Sequence, residues 1–222
     1  MSGPMPESEA RRKREWMIDT QLRSRAITDE RVLAAMARVP RERFVAEALG
    51  HSAYDDSPLP IGFGQTISQP YMVAAMLEAL ACEPQHRALE VGAGSGYQAA
   101  LLAELCAQVW TVEIVEQLAA QAAATLRALG YSTAKVVVGD GTQGLPEHAP
   151  YDRIIVAAGA PSVPEPLLEQ LAEGGRLVIP IGGRVGQRLV ICRRESGRIH
   201  RCESMSCAFV PLIGLYGWSP GL

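Results

Sequence analysis

The chain has no surplus of basic residues. Its 222 residues include 21 Lys and Arg against 24 Asp and Glu, giving a net charge of −3 and a pI near 5.9. A surface given over to nucleic acid needs a basic excess, so that class of partner is disfavoured. No run of roughly eighteen apolar residues occurs, and no membrane span is expected. The five cysteines (Cys82, Cys106, Cys192, Cys202, Cys207) are odd in number and contain no C-x-x-C pair. Buried free thiols in a reducing compartment are expected rather than a disulfide framework. The basic run Arg11-Arg12-Lys13-Arg14 is not followed by the apolar stretch of a secretory signal, so the expected location is the cytoplasm. Four scattered histidines show no metal-ligand spacing, and metal catalysis has no support. The Walker phosphate loop and the G-x-S-x-G elbow are both missing, as are internal repeats and low-complexity segments.

What remains is ordinary for one globular α/β unit, with 48% hydrophobic and 20% charged residues. Residues 1–6 read as a loose terminus. A helical pattern runs from Glu7 to about Arg25, and Thr28-Asp29 reads as the cap of a second helix. Pro40 ends that helix, and a short third one is expected over 41–48. The basic residues of this part read as solvated faces. From Gly50 to Pro70 the chain becomes irregular and rich in Pro and Gly, which marks a functional loop. Beyond Tyr71, helices are expected over 71–81, 97–106, 115–129 and 164–172. Strands are expected over 88–91, 109–113, 135–138, 153–157, 176–181, 188–193 and about 199–210. Apolar strands alternating with helices imply a mostly parallel sheet covered on both faces. The last two strands lack an intervening helix and form an antiparallel edge. The expected organisation is an N-terminal helical cap with a substrate loop (1–70) on a catalytic domain (71–222), together one compact unit.

The most telling stretch is Leu89-Glu90-Val91-Gly92-Ala93-Gly94-Ser95-Gly96-Tyr97. A glycine-rich turn between strand and helix lets the backbone come close to a ligand. Twenty-one residues after Gly92, Glu113 closes a second apolar run, about the offset at which an acid meets a ribose hydroxyl. The spacing is G-x-G-x-G rather than the dinucleotide G-x-G-x-x-G, and Glu90 stands two residues ahead of it. A carboxylate there would repel a pyrophosphate but suits an ammonium or sulfonium group. S-adenosylmethionine carries both and no phosphate. The alternative is a tight turn that serves only the fold.

Asp140, between Gly139 and Gly141 after the third strand, can present a carboxylate to an adenine amino group; a plain β-turn is the competing reading. The segment Leu59–Tyr71 is the second unusual feature. Gln65, Thr66 and Ser68 precede a helix, among prolines and glycines that fix the loop and leave amides free. Such donors suit a carboxylate. For Ser68 an N-cap role is equally compatible.

With these residues in view, the chain resembles the protein-L-isoaspartate O-methyltransferase family from about Trp16 to Pro211. The resemblance is carried by Arg38–Val45, Leu59–Gly62, Gly64–Tyr71, Gly139-Asp140-Gly141, Ala149–Asp152, Glu173–Gly182 and Phe209–Leu212. It implies a Rossmann-like, doubly wound S-adenosylmethionine-dependent methyltransferase sheet with additions at both ends. It implies Ser68 as the active-site serine and Thr66, Ile67, Glu90, Gly92, Gly94, Gly96, Glu113, Asp140 and Gly141 around the cofactor. Substrate contacts fall to Ile61, Gln65, Ser68 and Val210. The implied reaction is repair methylation of L-isoaspartyl residues in damaged proteins or peptides by a monomer, with S-adenosylhomocysteine as product. A methyltransferase acting on RNA or a small metabolite, or a non-catalytic cofactor-binding module, are the alternatives.

Overall fold

The computed structural model describes residues 5–219; the first four residues of the expected loose terminus and the last three residues of the chain lie outside them. Helix α1 (Glu7–Met17) continues through a π turn and a 3₁₀ turn to Arg25, where Ala26 takes a left-handed conformation. Helix α2 (Glu30–Arg38) starts where the sequence placed it, with the Asp29 carboxylate accepting from the backbone N–H of Arg31 at 2.9 Å. Glu78 in turn accepts from the backbone N–H groups of Thr28 and Asp29, at 2.7 and 2.8 Å. The expected third helix is two 3₁₀ turns, Arg41–Phe44 and Glu47–Ser52.

The segment expected to be irregular contains a hairpin, β1 (Leu59–Gly62) and β2 (Gln65–Ile67). Its two-residue turn, Phe63-Gly64, has positive φ at both positions, the geometry that suits the strand twist of a hairpin. Then follow α3 (Pro70–Leu80), β3 (Arg87–Val91), α4 (Tyr97–Leu105), β4 (Gln108–Glu113), α5 (Glu116–Ala128), β5 (Ala134–Val138) and β6 (Tyr151–Val156). Gly130, at φ +83°, stops α5. The helix expected over 164–172 is the shorter α6 (Glu165–Glu169), because Leu171 already opens β7 (Leu171–Gly182) and pairs with Tyr151. The chain closes with β8 (Gln187–Glu195) and β9 (Arg198–Cys207).

The main sheet runs β5-β4-β3-β6-β7-β8-β9. The first five strands are parallel, while β8 and β9 are antiparallel to their neighbours. The fold is thus the Rossmann-like sheet with an antiparallel edge that the sequence implied. Alternate residues feed two cores, since successive side chains of a strand point to opposite faces. Ala88, Val109, Ile155 and Val178 pack with Met17, Leu22, Met36, Leu77 and Leu101 of the helical layer. Leu89, Trp110, Ile154 and Leu177 pack on the other face with Leu145, Leu167 and Leu212. Among the described residues, no helix is long and apolar enough to cross a membrane. The cysteines are free, but Cys202 is exposed and Cys207 half-buried, so the expectation of buried thiols holds for Cys82, Cys106 and Cys192 alone.

Candidate active site

In an open parallel sheet, ligands sit outside the carboxyl ends of the strands, at the point where the strand order reverses. Here β3 is that point: β4 lies to one side and β6 to the other. A crevice opens there. Its floor is the turn after β3, with Glu113 of β4, Gly141 and Ala157 beside it. Its walls are Gln65–Ser68 of the hairpin segment and Val210–Ile213 of the C-terminal segment. An adjoining groove, lined by Pro58, Gln69, Met72 and Phe209, shares Thr66, Ser68, Ala157 and Val210 with the crevice.

The glycine turn behaves as its spacing implied. Gly92, Gly94 and Gly96 have φ of +92°, +52° and +87°. Gly92 lies against Ala157 and Gly94 beneath Ile61, while Gly96 starts α4 against Ala122, where a Cβ would approach to 3.2 Å. Gly96 therefore shapes the turn without lining the crevice, and Ile61 joins the hairpin to Gly94 instead of facing the cavity. The Glu113 carboxylate holds the turn in place, accepting from the N–H of Gly94 at 2.8 Å and of Val115 at 3.0 Å.

Glu90 is fully buried. Its Oε2 accepts from the Thr111 hydroxyl at 2.5 Å, while Oε1 has no partner. Burial pushes its carboxyl up to about 8, so the group is mostly protonated at neutral pH unless a cation arrives. The Nε2 of Gln98, on the first turn of α4 and also on the crevice wall, is likewise buried without a partner. Orphaned buried polar atoms are costly: the free Glu90 oxygen fits a ligand's ammonium group, and the Gln98 N–H, a donor, fits an acceptor on the ligand such as a carboxylate. The glycine cradle, the unpaired carboxylate and the acid closing β4 together fit S-adenosylmethionine.

Asp140 is placed elsewhere. Its carboxylate lies outside the crevice lining and accepts from Thr142 N–H (2.9 Å) and hydroxyl (2.6 Å), Gln143 Nε2 (3.2 Å) and Leu215 N–H (2.8 Å). It caps a 3₁₀ turn and straps down the C-terminal segment. Trp218 completes the strap, its Nε1 donating to Gly159 O at 3.0 Å. Gly141 does line the crevice, beneath Val91.

Ser68 does not cap α3. Gln69 holds the N-cap position and no side chain caps the helix, so the Ser68 hydroxyl is left for other partners. Its carbonyl accepts from Arg41 Nη2 at 2.7 Å. Arg41 is wholly buried, as is nearly all of Arg14, which corrects the expectation that the basic residues of this part form solvated faces. Sequence inspection also assigned no site role to Gln98, Leu212 or Ile213, which line the crevice. Gln98 was findable as the second residue after the glycine turn, but the strap leaves no local signal.

A sequence model of the family Protein-L-isoaspartate(D-aspartate) O-methyltransferase (PCMT) matches residues 12–216. A protein-L-isoaspartate O-methyltransferase of Koribacter versatilis is 55% identical over 204 residues, covering 92% of each chain. One from Methanoregula boonei is 52% identical over 218 residues, 98% of this chain and 99% of that one. Among solved structures, a protein-L-isoaspartate O-methyltransferase superposes with a TM-score of 0.83 at 29% identity, over 92% of this chain and 67% of the other. A Plasmodium falciparum protein named as a candidate member, in complex with S-adenosyl-L-homocysteine, gives 0.78 at 28% identity over 90% of this chain and 98% of the other.

Proposed function

Because this chain belongs to the protein-L-isoaspartate(D-aspartate) O-methyltransferase family, we propose that the crevice over β3 is its methyl-transfer site and that Ser68 orients the substrate. The enzyme is an S-adenosylmethionine-dependent methyltransferase that esterifies L-isoaspartyl residues of damaged proteins. The observation that carries the site assignment is the shared wall: Ser68 and Thr66 border both the glycine-turn crevice and the adjoining groove. A cofactor on one side and a polypeptide on the other would meet there.

Bound S-adenosylmethionine supplies a methyl group on a sulfonium centre, which leaves as S-adenosylhomocysteine when a carboxylate oxygen takes the methyl. Glu90, Gly92, Gly94 and Gln98 hold its amino-acid end, and Glu113 its ribose. Asp140 acts on the adenine side through Gly141 and the strap it anchors. The substrate contributes the α-carboxylate left free where the chain runs through the aspartyl side chain. With a reference pKa of about 4 it is ionised at neutral pH, so no general base is needed. Gln65, Thr66 and Ser68 have to align it, and Val210 and Leu212 keep water away. Alignment in oriented systems is worth roughly 7–11 kcal/mol, enough to supply most of such a catalytic effect.

Ser68→Ala tests the assignment. Methylation of an isoaspartyl peptide should fall about tenfold or more, the range for removing one orienting hydrogen bond to a charged group, while S-adenosylhomocysteine affinity by calorimetry stays within threefold. A parallel loss of cofactor affinity would remove Ser68 from the substrate side.

A further inference from the structure

Arg41 is the most unusual charge in the molecule. It is 0% exposed, and no carboxylate pairs with it among the described residues. Its neighbours in the helical cap are different: Arg14, Arg25 and Arg38 each have a carboxylate oxygen within 3.6 Å. An isolated buried cation is expensive, so a protein that keeps one obtains something for it. What Arg41 touches is informative. Nε donates to Ala53 O at 2.6 Å in the cap, and Nη2 donates to Ser68 O at 2.7 Å in the loop. The guanidinium carbon lies 4.9 Å from the centroid of the Tyr97 ring, at the first residue of the helix that the glycine turn opens. Nη1 has no partner. One planar, fixed-geometry fork thus joins cap, substrate loop and cofactor turn, an arrangement that a flexible lysine ammonium cannot reproduce.

We infer that Arg41 is a positioning residue for methyl transfer: it fixes the Ser68 peptide between cap and glycine turn, and its unneutralised charge behind that loop favours an incoming carboxylate. The inference rests on the Ser68 assignment above. It separates two contributions. The fork geometry sets the direction of the Ser68 segment and acts on kcat, since a misplacement of the order of 1 Å can cost about a hundredfold. The charge acts on capture of an anionic substrate, in a setting where low polarity strengthens it.

The test uses Arg41→Lys, Arg41→Met and Ser68→Ala in the full chain, with thermal unfolding, S-adenosylhomocysteine calorimetry and peptide kinetics. Arg41→Lys should keep the peptide KM within about threefold and lower kcat about tenfold or more. Arg41→Met should lose kcat to a similar degree and raise KM about tenfold in addition, so the lysine rescues one parameter and not the other. Cofactor affinity should stay within threefold in both. Parallel losses in cofactor affinity and peptide turnover, unchanged peptide kinetics, or failure of both Arg41 variants to fold would overturn the inference and leave Arg41 a structural residue. An impaired Ser68→Ala beside a normal Arg41→Lys would overturn this inference alone; a fully active Ser68→Ala would overturn the Ser68 assignment and this inference with it.

Discussion

Replacing Glu90 by glutamine should stabilise the empty protein while weakening its hold on the cofactor. The carboxyl titrates near 8 when folded against an ordinary 4.5, because burial disfavours its charged form. A carboxyl raised in this way binds more protons folded than unfolded between those values, so stability is lost as pH climbs through the window. At pH 7 the loss comes to roughly 3 kcal/mol, at about 1.36 kcal/mol per pH unit. Glutamine removes that cost but keeps an unpartnered N–H, worth about 1 kcal/mol or more. The net gain of about 2 kcal/mol corresponds to a Tm higher by roughly 4–8 °C at pH 7 for a chain of this size. The gain should shrink to nothing or reverse near pH 4.5, where the wild-type group is no longer driven to ionise in the unfolded chain. For the cofactor the sign is opposite. A desolvated ion pair lost on one side costs about 2–5 kcal/mol, less the roughly 1.4 kcal/mol that the wild type expends ionising Glu90 at pH 7. S-adenosylhomocysteine should therefore bind Glu90→Gln from about threefold to a few hundredfold more weakly. Calorimetry in buffers of different ionisation enthalpy reads the linkage directly: wild-type binding should release about 0.9 proton at pH 7 and about 0.1 at pH 9, and Glu90→Gln none from this group. A variant that binds as tightly as wild type, or is less stable at every pH from 5 to 8, would refute the argument.

The strap gives a second prediction. At Gly214, φ is +154° and a Cβ would run into Asp140 Oδ1 and come within 2.7 Å of Thr142 Cγ2. Gly214→Ala should unseat the strap and speed S-adenosylhomocysteine release about tenfold in stopped-flow, with a Tm change within about 3 °C, as expected where a surface segment and not the core is disturbed; unchanged release would remove the strap from cofactor retention. Gly141→Ala should do the reverse in emphasis. Its Cβ would lie 2.5 Å from Val91 Cγ1 in the buried core, and overpacking of this kind costs about 1–3 kcal/mol. Thermal unfolding should show a Tm lower by roughly 2–12 °C, and an unaltered Tm would mean that β3 shifts freely.

The central strands were legible because burial on both faces leaves near-continuous apolar runs, as in Ile154-Ile155-Val156. Caps were legible where a side chain acts on its own helix, as Asp29 does. The glycine turn was legible because three positive-φ positions admit little else. What escaped depends on partners distant in sequence. The β1–β2 hairpin hid behind Pro60 and two glycines, residues that argue against strands unless an isolated ribbon tolerates them. The anchoring of the C-terminal strap by Asp140 escaped because that donor, the Leu215 N–H, lies 75 residues on. The end of α6 gave way because Leu171 pairs across the sheet with Tyr151. Arg41 sits in a run of arginines that reads as a wet surface, and nothing local distinguishes the one that turns inward.

The central claim is that cofactor and abnormal carboxylate meet at the wall made by Thr66 and Ser68. It is tested most directly by a crystal structure with S-adenosylhomocysteine and an isoaspartyl peptide bound together. The expected result places the amino group against Glu90 Oε1, the ribose against Glu113, and the peptide in the groove beside Met72 and Phe209 with its free α-carboxylate at Ser68. A nucleoside seated away from the β3 turn, or a peptide whose carboxylate lies far from Ser68, would contradict it.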